Sequence, residues 1–346
     1  MKAYIIDEKQ TGQRLDKFLK RVLPNASAGF LCKMLRKKNI TLNGKKAEPG
    51  EIVKTGDEIK VFFSDETFEK FSGAADTGKT VGNGAEIAEN IKIPSLEKDE
   101  IVYEDGNIII CFKKAGELSQ KANPDDVSIN ERIREYLKGE EITGFVTSVA
   151  NRLDRNTEGL IVAGKNPHAQ AVLSALFRER KLDKFYLATL KGRLETEKDL
   201  KLYLKKNENT NKVEISGEKR EGWEFTHSRF VPLVSNADYT LAAVDLLTGK
   251  SHQIRAHAAF IGHPVLCDPK YGDREVNLDI KKKYRLNHQL LTAAFLHFPD
   301  DCELEEIAGK SFYRESGEKV IDFWKGEGLW QPGNQEALEA LALKKP

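Results

Sequence analysis

Apolar residues in the first part of the chain recur at helical spacing and then in short strand-like runs. From Arg14 they form one face of a predicted amphipathic helix, with Leu15, Phe18, Leu19 and Val22 on that face. Further predicted elements are a helix over 27–37, a strand over 40–44 that enters an Asn-Gly turn, and strands over 52–53 and 58–63. The pattern therefore predicts a small module of helices and strands within residues 1–63.

A longer set of strands and helices follows from residue 98 onward. The pattern predicts strands over 101–104, 108–112, 146–153, 160–163, 184–190, 223–233 and 239–247. It predicts helices over 128–137, 166–177, 251–261 and 335–343. The run 290–298 fits either a strand or a helix, and the charged segment 191–222 fits a hairpin or an insertion. Alternation in the strand over 184–190 separates an odd-numbered face from an even-numbered face that includes Tyr186.

Between these two parts, residues 64–97 are rich in Gly, Ala and charged residues and have no apolar periodicity. We predict a linker there, either flexible or crossing irregularly to the next domain. A chain of 346 residues is long for a single core, so two domains are expected. The predicted division is an N-terminal domain over 1–63 and a larger domain over 98–346.

The composition, with 40% hydrophobic and 32% charged residues, is that of a soluble globular protein. No apolar run approaches the roughly 20 residues of a membrane span, and the N-terminus lacks a secretory apolar region. The four scattered cysteines form no Cys-x-x-Cys pair, which favours reduced thiols in a cytosolic protein.

The net charge of +1 conceals an uneven distribution. Residues 1–63 carry 14 Lys and Arg against 7 Asp and Glu. Cations cluster at the end of the second predicted helix, at Arg36, Lys37 and Lys38, where they could follow a phosphate backbone. A solvated charged face is the alternative, but the clustering around one helix, turn and strand favours binding to a polyanion.

The stretch 151–165, NRLDRNTEGLIVAGK, places Asp154 between Arg152 and Arg155, ahead of a polar turn and an apolar strand. A neighbouring cation favours the ionised form of a carboxylate, which a nucleophile or a general base requires. The simpler alternative is an Asp that caps a turn and forms a salt bridge with one of these arginines. From this stretch alone the simpler alternative is favoured.

Three histidines, His252, His257 and His263, raise the question of a zinc site. Their spacings do not place a ligand pair on one face of a helix, and no Cys or carboxylate completes a recognisable ligand set. We therefore expect no metal.

The N-terminal order of two short helices, a basic helix end, a strand and an Asn-Gly turn resembles the S4 RNA-binding domain. The matching stretch is RLDKFL…SAGFLCKMLRKKNITLNGKKAEPGEIVKTGDEIKV. The resemblance implies binding to structured RNA.

The larger domain resembles the large-subunit-type (RluA/RluC/RluD-like) pseudouridine synthases through three blocks in the same order. The blocks are YEDGNIIICFKKAGELSQ, NRLDRNTEGLIVAGK and LLTGKSHQIRAHAAFIGHPVLCDPKYG. Each block alone is moderately specific, whereas the ordered set is highly specific. Enzymes of this family break the bond between uracil N1 and the ribose, turn the base, and rejoin it through C5.

This resemblance implies roles for three residues that are far apart in sequence. Asp154 matches the family's catalytic carboxylate, Tyr186 its active-site tyrosine, and Arg255 the helix arginine expected to pair with Asp154. A core tyrosine on a strand and a surface arginine are the alternatives for Tyr186 and Arg255. The expected substrate contacts are Arg152, Lys165 and His252, together with Arg36, Lys37 and Lys38 of the N-terminal domain.

Four positions depart from the family pattern. Asn151 replaces a His, Glu158 a small Ser, Lys250 an Arg, and Thr292 occupies a place often held by His. None of the four is a presumed reacting group, so they bear on which RNA is bound and on how the loop is anchored.

The resemblances together imply an α+β protein. The expected architecture is a catalytic domain with a mixed, mostly antiparallel sheet and flanking helices, joined to a small α+β S4-like domain. The expected activity is isomerisation of uridine to pseudouridine in RNA, with large-subunit ribosomal RNA as the favoured substrate and no cofactor. We expect a cytoplasmic monomer with RNA as its partner and no membrane association. A non-catalytic RNA-binding or ribosome-assembly factor, or a hydrolase acting at ribose, is the alternative.

Overall fold

The computed structural model describes residues 1–72, 92–140, 142–207 and 212–344. The strands of this part are β1 (Lys2–Ile5), β2 (Ile40–Leu42), β3 (Glu58–Val61), β4 (Ile101–Glu104), β5 (Ile108–Lys113), β6 (Glu158–Gly164), β7 (Asp183–Lys191), β8 (Lys198–Asn207), β9 (Lys212–Ser216), β10 (Glu224–Ser235), β11 (Tyr239–Leu246), β12 (Leu291–His297) and β13 (Ser311–Tyr313). The α-helices are α1 (Leu15–Val22), α2 (Ala28–Arg36), α3 (Asp65–Ser72), α4 (Ile129–Tyr136), α5 (Pro167–Glu179), α6 (Gln253–Phe260), α7 (Arg274–Tyr284), α8 (Glu318–Gly326) and α9 (Asn334–Ala342). Within these ranges no helix combines the length and the hydrophobicity that a membrane crossing requires.

The N-terminal unit is an antiparallel sheet in the order β1-β3-β2, covered by α1 and α2. The predicted apolar face of α1 is fully buried at Leu15, Phe18 and Leu19. Ser27 begins α2 by accepting a hydrogen bond from Phe30 N at 3.2 Å. Strand β1 was not predicted, because none of its four residues is buried and it has no amphipathic pattern to detect.

The prediction of an irregular linker is wrong for its first residues, which form helix α3. The α3 aromatic residues Phe68 and Phe71 pack on the N-terminal core, and the rings of Phe30 and Phe71 lie 4.3 Å apart. Aromatic packing therefore orders a segment whose short sequence lacks visible periodicity. Residues 73–91 of the predicted linker lie outside the described residues, and Leu96 is already buried in the core of the larger unit.

The larger unit is built on a ten-stranded sheet in the order β4-β5-β6-β12-β7-β11-β10-β8-β9, with β13 paired to β12. The pair β6–β12 is parallel, and the other strand pairs described for this sheet are antiparallel. The predicted mixed, mostly antiparallel sheet with flanking helices is therefore confirmed.

Strand β7 lies near the middle of this sheet and divides two hydrophobic cores. Tyr186, Ala188 and Leu190 belong to the core that lies under α4 and α6. Phe185 and Leu187 belong to the opposite core, which α7, α8 and α9 cover. The predicted alternation in this strand is thus confirmed, and it determines the face of the sheet on which Tyr186 lies.

Three local expectations are changed or decided by the structure. The predicted strand over 146–153 is not formed; one bridge joins Val149 to Ala163. The Asn151 side chain replaces the missing ladder by donating to Leu160 O at 3.0 Å and accepting from Val162 N at 2.9 Å. The ambiguous run 290–298 contains strand β12, and the charged segment 191–222 contains the β8–β9 hairpin.

The two units contact each other through the segment 142–145. Arg21 Nη1 donates to Gly144 O at 2.7 Å, and Gln10 Nε2 donates to Thr143 O at 3.2 Å. Gly144 has φ +77°, and a Cβ atom there would lie 2.4 Å from the Phe18 ring. A glycine is therefore required for this close approach.

Candidate functional site

A cleft of about 710 Å³ opens on the face of the sheet that carries Tyr186. It is bordered by the turn that contains Asp154, the end of α5, the N-terminal turn of α6, and the loop 118–122. Asp154, Tyr186 and Arg255, predicted from distant parts of the sequence, all line it.

The turn that contains Asp154 is held by the loop that follows β5. Ser119 Oγ donates to Leu153 O and accepts from Leu153 N, both at 2.9 Å. Lys113 Nζ donates to Arg155 O at 3.1 Å and also to the carbonyl oxygens of Lys114 and Glu117. Because backbone groups on both sides of Asp154 are bound, the direction of its side chain is fixed before any substrate enters.

The Lys113 ammonium is fully buried beneath this turn. Burial lowers the pKa of Lys113 to about 8, against the opposing effect of the charges of Glu117, Asp154 and Glu158. Its three carbonyl contacts use the three donors of the protonated amine. Sequence reasoning did not single out Lys113, although it begins the Lys-Lys-Ala-Gly turn of the first block.

Arg255 lies on α6 and is 4% exposed. Its Nη1 donates to Asp154 Oδ2 at 2.8 Å, while Nε and Nη2 donate to the two oxygens of Asp268 at 2.6 and 2.8 Å. Burial by itself lowers the pKa of Arg255, but the hydrogen bonds and charges of Asp268 and Asp154 outweigh burial and raise it above its usual value. The guanidinium is therefore always charged and is held in one plane.

Asp268 is the residue of this arrangement that sequence reasoning missed. Its side chain is fully buried, and its Oδ1 also accepts from the backbone N–H groups of Lys270 and Tyr271. It lies in the predicted structured loop 267–272, inside the third block, so an Asp beside a Pro in that loop was the available signal. No local pattern indicates that it would meet Arg255.

Tyr186 lies on β7 opposite Val244 of β11 and is 9% exposed. Burial, and then the negative charge of Asp154, raise the pKa of Tyr186. The phenol therefore stays protonated at neutral pH and offers a planar ring together with an O–H donor inside the cleft.

His252 lines the cleft from the residue before α6, where its backbone is left-handed with φ 56° and ψ 13°. Its Nδ1 lies 3.0 Å from the Tyr271 hydroxyl, which accepts from Val213 N at 2.7 Å. Burial lowers the pKa of His252, so the ring is neutral near pH 7. Since the Tyr271 oxygen already accepts a hydrogen bond, its own proton is available for Nδ1, which leaves the second ring nitrogen as an N–H donor.

The predicted substrate-binding cations divide among three places. Arg152 is exposed at the cleft and forms no ion pair with a described residue. Lys165 is not brought to this cleft; it forms ion pairs with Glu104 at 2.6 Å and Glu140 at 3.1 Å. Lys165 follows the end of β6 that is far from the Asp154 turn. The seven residues of β6, at roughly 3.3 Å each, place it some 20 Å from that turn. Arg36, Lys37 and Lys38 are exposed at the end of α2, on the N-terminal unit and not in the cleft.

Further cations at the edge of the cleft were not predicted as site residues: Lys121, Arg178, Arg180, Lys184 and Lys250. The run of cations at the end of α5 was the available signal for Arg178 and Arg180, whereas Lys184 lies on β7. Among the described residues, no group of three or more His, Cys, Asp or Glu side chains is placed to hold a metal ion.

Comparisons with known proteins agree with this geometry. The profile of the RNA pseudouridylate synthase family matches residues 107–260, and that of the S4 domain matches residues 13–59. A relative from Rickettsia felis, Ribosomal large subunit pseudouridine synthase C, is 32% identical over 88% of this chain and 92% of its own length. The protein of the same name from Escherichia coli (strain K12) is 28% identical, over 86% and 88%. The solved structure titled Human RNA Pseudouridylate Synthase Domain Containing 4 shares the fold, with a TM-score of 0.53, 19% identity, and coverage of 67% of this chain and 94% of that chain.

The chain therefore belongs to the RNA pseudouridylate synthase family and carries an S4 domain at its N-terminus. It is an isomerase of the class that converts uridine in RNA to pseudouridine.

Proposed function

We propose that this enzyme isomerises uridines of large-subunit ribosomal RNA and that Asp154 is the carboxylate that acts at the ribose. The substrate class is supported by the two relatives named Ribosomal large subunit pseudouridine synthase C, which match most of the chain. The reaction breaks the bond between N1 and C1′ and forms one between C5 and C1′. The C5 proton is lost and N1 gains one, so the product is an isomer and no redox partner is needed.

The pair formed by Asp154 and Arg255 is the observation that carries this proposal. One oxygen of the Asp154 side chain accepts from the Arg255 guanidinium at 2.8 Å, which fixes the orientation of the carboxyl group. The other oxygen, Oδ1, accepts no hydrogen bond from a described residue, and the Asp154 side chain is 26% exposed in the cleft. An ionised oxygen aimed at a sugar carbon serves as a nucleophile at C1′ or as a base at the 2′ carbon.

Tyr186 supplies the second part of the proposed chemistry. A uridine must leave its stack before a carboxylate can reach its ribose, and a planar side chain then supports the displaced base. The Tyr186 ring lies in the same cleft as Asp154, with a protonated phenol that can lie near C5. In this role the ring holds the free uracil between the breaking of one bond and the formation of the other.

We propose that residues of both units bind the RNA. Arg152 and His252 contact the flanking nucleotides at the cleft, and Arg36, Lys37 and Lys38 contact phosphates from the S4 domain. Lys165 is left out of this assignment because its ammonium is held by two carboxylates away from the cleft.

We further propose that the enzyme works as a cytoplasmic monomer, with an S4 unit that extends to residue 72 and a catalytic unit that begins near residue 95.

The test is Asp154→Asn, with pseudouridine mapped in large-subunit ribosomal RNA by mass spectrometry and sequencing. We expect product formation to fall by about 10⁴-fold or more, the scale for loss of a reacting group, while RNA affinity stays within about threefold. Asp279→Asn on the exposed surface of α7 is the matched control and should keep full activity. Wild-type turnover of Asp154→Asn would remove Asp154 from the mechanism. Release of free uracil by the wild-type protein would indicate a hydrolase instead.

A further inference from the structure

The end of the sheet formed by β8 and β10 carries an exposed aromatic face on the side opposite the cleft. On the inner side of these strands, Leu202, Leu204 and Thr226 are buried, and Thr226 Oγ1 lies 2.9 Å from His257 Nε2 of α6. Because successive side chains of a strand alternate, Tyr203 and Phe225 lie on the outer side.

Phe225 and Tyr203 form a cross-strand pair on this outer face. They are register partners, and their ring centroids lie 5.8 Å apart in an edge-to-face arrangement. His227 continues the row, with its ring centroid 6.4 Å from that of Phe225. Such a pair stabilises two strands, but Phe225 remains 46% exposed, so much of one ring is free for another partner.

The helices that cover this side of the sheet end before they reach the pair. Val231, six residues along β10, packs on the core that α7, α8 and α9 cover. Phe225 belongs to none of the hydrophobic clusters formed by the described residues. The aromatic pair therefore lies where the sheet has left its helical cover.

Lys205 lies on the same outer face as the aromatic pair, and its register partner on β9 is Glu214. Lys205 is exposed, lies next but one to Tyr203 on β8, and forms no ion pair with a described residue. Arg220 lies over the Trp223 ring at 5.1 Å, in the turn that enters β10. From the start of β8 to Phe225, residues 198–225 carry seven Lys and Arg against six Asp and Glu, a small cationic excess.

We propose that this face is a second RNA contact that binds unpaired nucleotides, with Phe225 and Tyr203 stacking on bases and Lys205 near a phosphate. The inference rests on the proposed function, since it deepens the recognition of the same RNA. Single-stranded RNA is bound by this combination of exposed rings and cations. Protein interfaces, in contrast, are depleted in Lys and usually present a larger continuous apolar patch.

The position of this face explains what it adds to the cleft. Three strand spacings, about 14 Å in all, separate β7 from β8, and the sheet itself lies between the two surfaces. An RNA that fills only the cleft does not reach the outer face. A longer RNA that passes the sheet edge at β9 contacts both, so the second contact contributes to affinity and not to the chemical step.

The test compares Phe225→Leu, which keeps an apolar side chain but cannot stack, with Phe225→Trp, which can. For a full-length large-subunit ribosomal RNA transcript, Phe225→Leu should weaken binding by roughly 5- to 50-fold and Phe225→Trp by less than about twofold. Leu278→Ala on α7 removes an apolar side chain with the same 46% exposure and should leave binding unchanged. The rate of pseudouridine formation at saturating RNA should be unaffected in all three variants.

A second arm locates the contact directly and does not depend on catalysis. A transcript that contains 4-thiouridine should cross-link to peptides carrying Tyr203 or Phe225. In a separate binding measurement, Lys205→Gln should lower the salt dependence of RNA affinity, whereas the control Lys281→Gln should not. Equal loss in Phe225→Leu and Phe225→Trp, or unchanged binding in both, would overturn the proposal. A dimer formed without RNA and dispersed by Phe225→Leu would also overturn it, because a second copy would then be the partner. If the protein forms no pseudouridine but the cross-links to Tyr203 or Phe225 remain, the RNA contact is supported although the proposed function is not.

Discussion

Arg255 binds Asp154 with one nitrogen and Asp268 with the other two, across 101 residues of sequence in the first case. Asp268 is fully buried and is itself held by two backbone N–H groups, so it fixes the plane of the guanidinium. The third nitrogen is thereby aimed at Asp154. We expect Asp268 to be a positioning residue that acts on the cleft through Arg255. It also accepts a hydrogen bond from the backbone N–H of Tyr271, whose hydroxyl contacts His252.

We expect Asp268→Asn to impair catalysis although Asp268 lines no part of the cleft. Loss of one partner from a buried ion pair costs about 3–5 kcal/mol of stability. Displacement of Asp154 by about 1 Å should lower kcat on the order of 100-fold with little change in KM. Steady-state kinetics on the folded fraction, with unfolding followed by circular dichroism, would measure both effects.

Arg255→Lys separates charge from geometry in the same network. A lysine keeps the positive charge but cannot bind Asp154 and Asp268 together in one plane, so it should not restore kcat. The exposed Asp279→Asn is the control and should change neither kcat nor stability. Normal kcat in folded Asp268→Asn would show that Arg255 is positioned without it.

Glu158 and Thr292, two of the positions that depart from the family pattern, are direct neighbours. Thr292 Oγ1 donates to Glu158 Oε1 at 3.0 Å across the parallel pair β6–β12, and Gly317 N donates to the same oxygen at 2.9 Å. The two unusual residues therefore interact with each other, buried beside the turn that contains Asp154. We expect Glu158→Met and Thr292→Val each to lower the free energy of unfolding by about 1–3 kcal/mol.

The double variant should be less destabilised than the sum of the single variants, with a coupling of about 0.5–3 kcal/mol in chemical denaturation. Thr226→Val provides the comparison, because Thr226 is equally buried but contacts His257. Its effect should add to that of Glu158→Met without coupling. Additive behaviour of Glu158 and Thr292 would show that the contact contributes little.

His257 should make the fold sensitive to acid. Its ring is fully buried, and burial lowers the pKa of His257 to about 4. The unfolded chain takes up this proton near pH 6.5 and the folded chain does so near pH 4, so the unfolded state binds more protons between these values. Stability should therefore fall as pH decreases through this window, by up to roughly 3 kcal/mol.

His257→Gln should remove this part of the pH dependence, as measured by denaturant unfolding between pH 4 and 7. The partly exposed His297, which contacts Ser311, offers the control, and His297→Gln should keep the wild-type slope. An unchanged slope in His257→Gln would mean that other groups account for acid sensitivity.

The cations at the end of α2 should contribute to the salt dependence of RNA binding. Replacing Lys37 and Lys38 by Gln removes two exposed charges, so the slope of log affinity against log salt should fall by about 1.5–2. Lys281 and Lys282 on α7 form a matched exposed pair, and their replacement by Gln should leave the slope unchanged. Equal slopes in both double variants would exclude the end of α2 as an RNA contact.

The elements that the sequence predicted well are those with strong local periodicity. The amphipathic faces of α1 and α2, the alternation of β7 and the capping residue of α5 were each visible within about ten residues. Helices α7 and α8 were missed, as was β1. In α7, Ile280 is the one residue that is fully buried, so the helix presents little apolar pattern along its length.

Within the cleft, too, the residues that were predicted are mostly those with a recognisable local sequence pattern. Asp154 and Arg255 were identified because each lies in a block of adjacent residues that can be matched as a unit. Tyr186 lies outside the three blocks and was matched to the family's tyrosine on the predicted strand 184–190. Asp268 also lies in such a block, but its contact with Arg255 could not be predicted, because it depends on a partner on another element. Lys165 also lay in a block, yet the direction of β6 carries it away from the cleft toward Glu104 and Glu140.

The sequence by itself determined which side chains are available, where helices and strands form, and the family to which the ordered blocks point. These properties follow from neighbours within a few turns or strand positions. The tertiary structure alone decided that Arg255 also binds Asp268, that Glu158 contacts Thr292, and that Phe225 lies beyond the helical cover of the sheet. The reason is physical: these contacts depend on strand order and register, which arise from the packing of the whole chain and are absent from any local pattern.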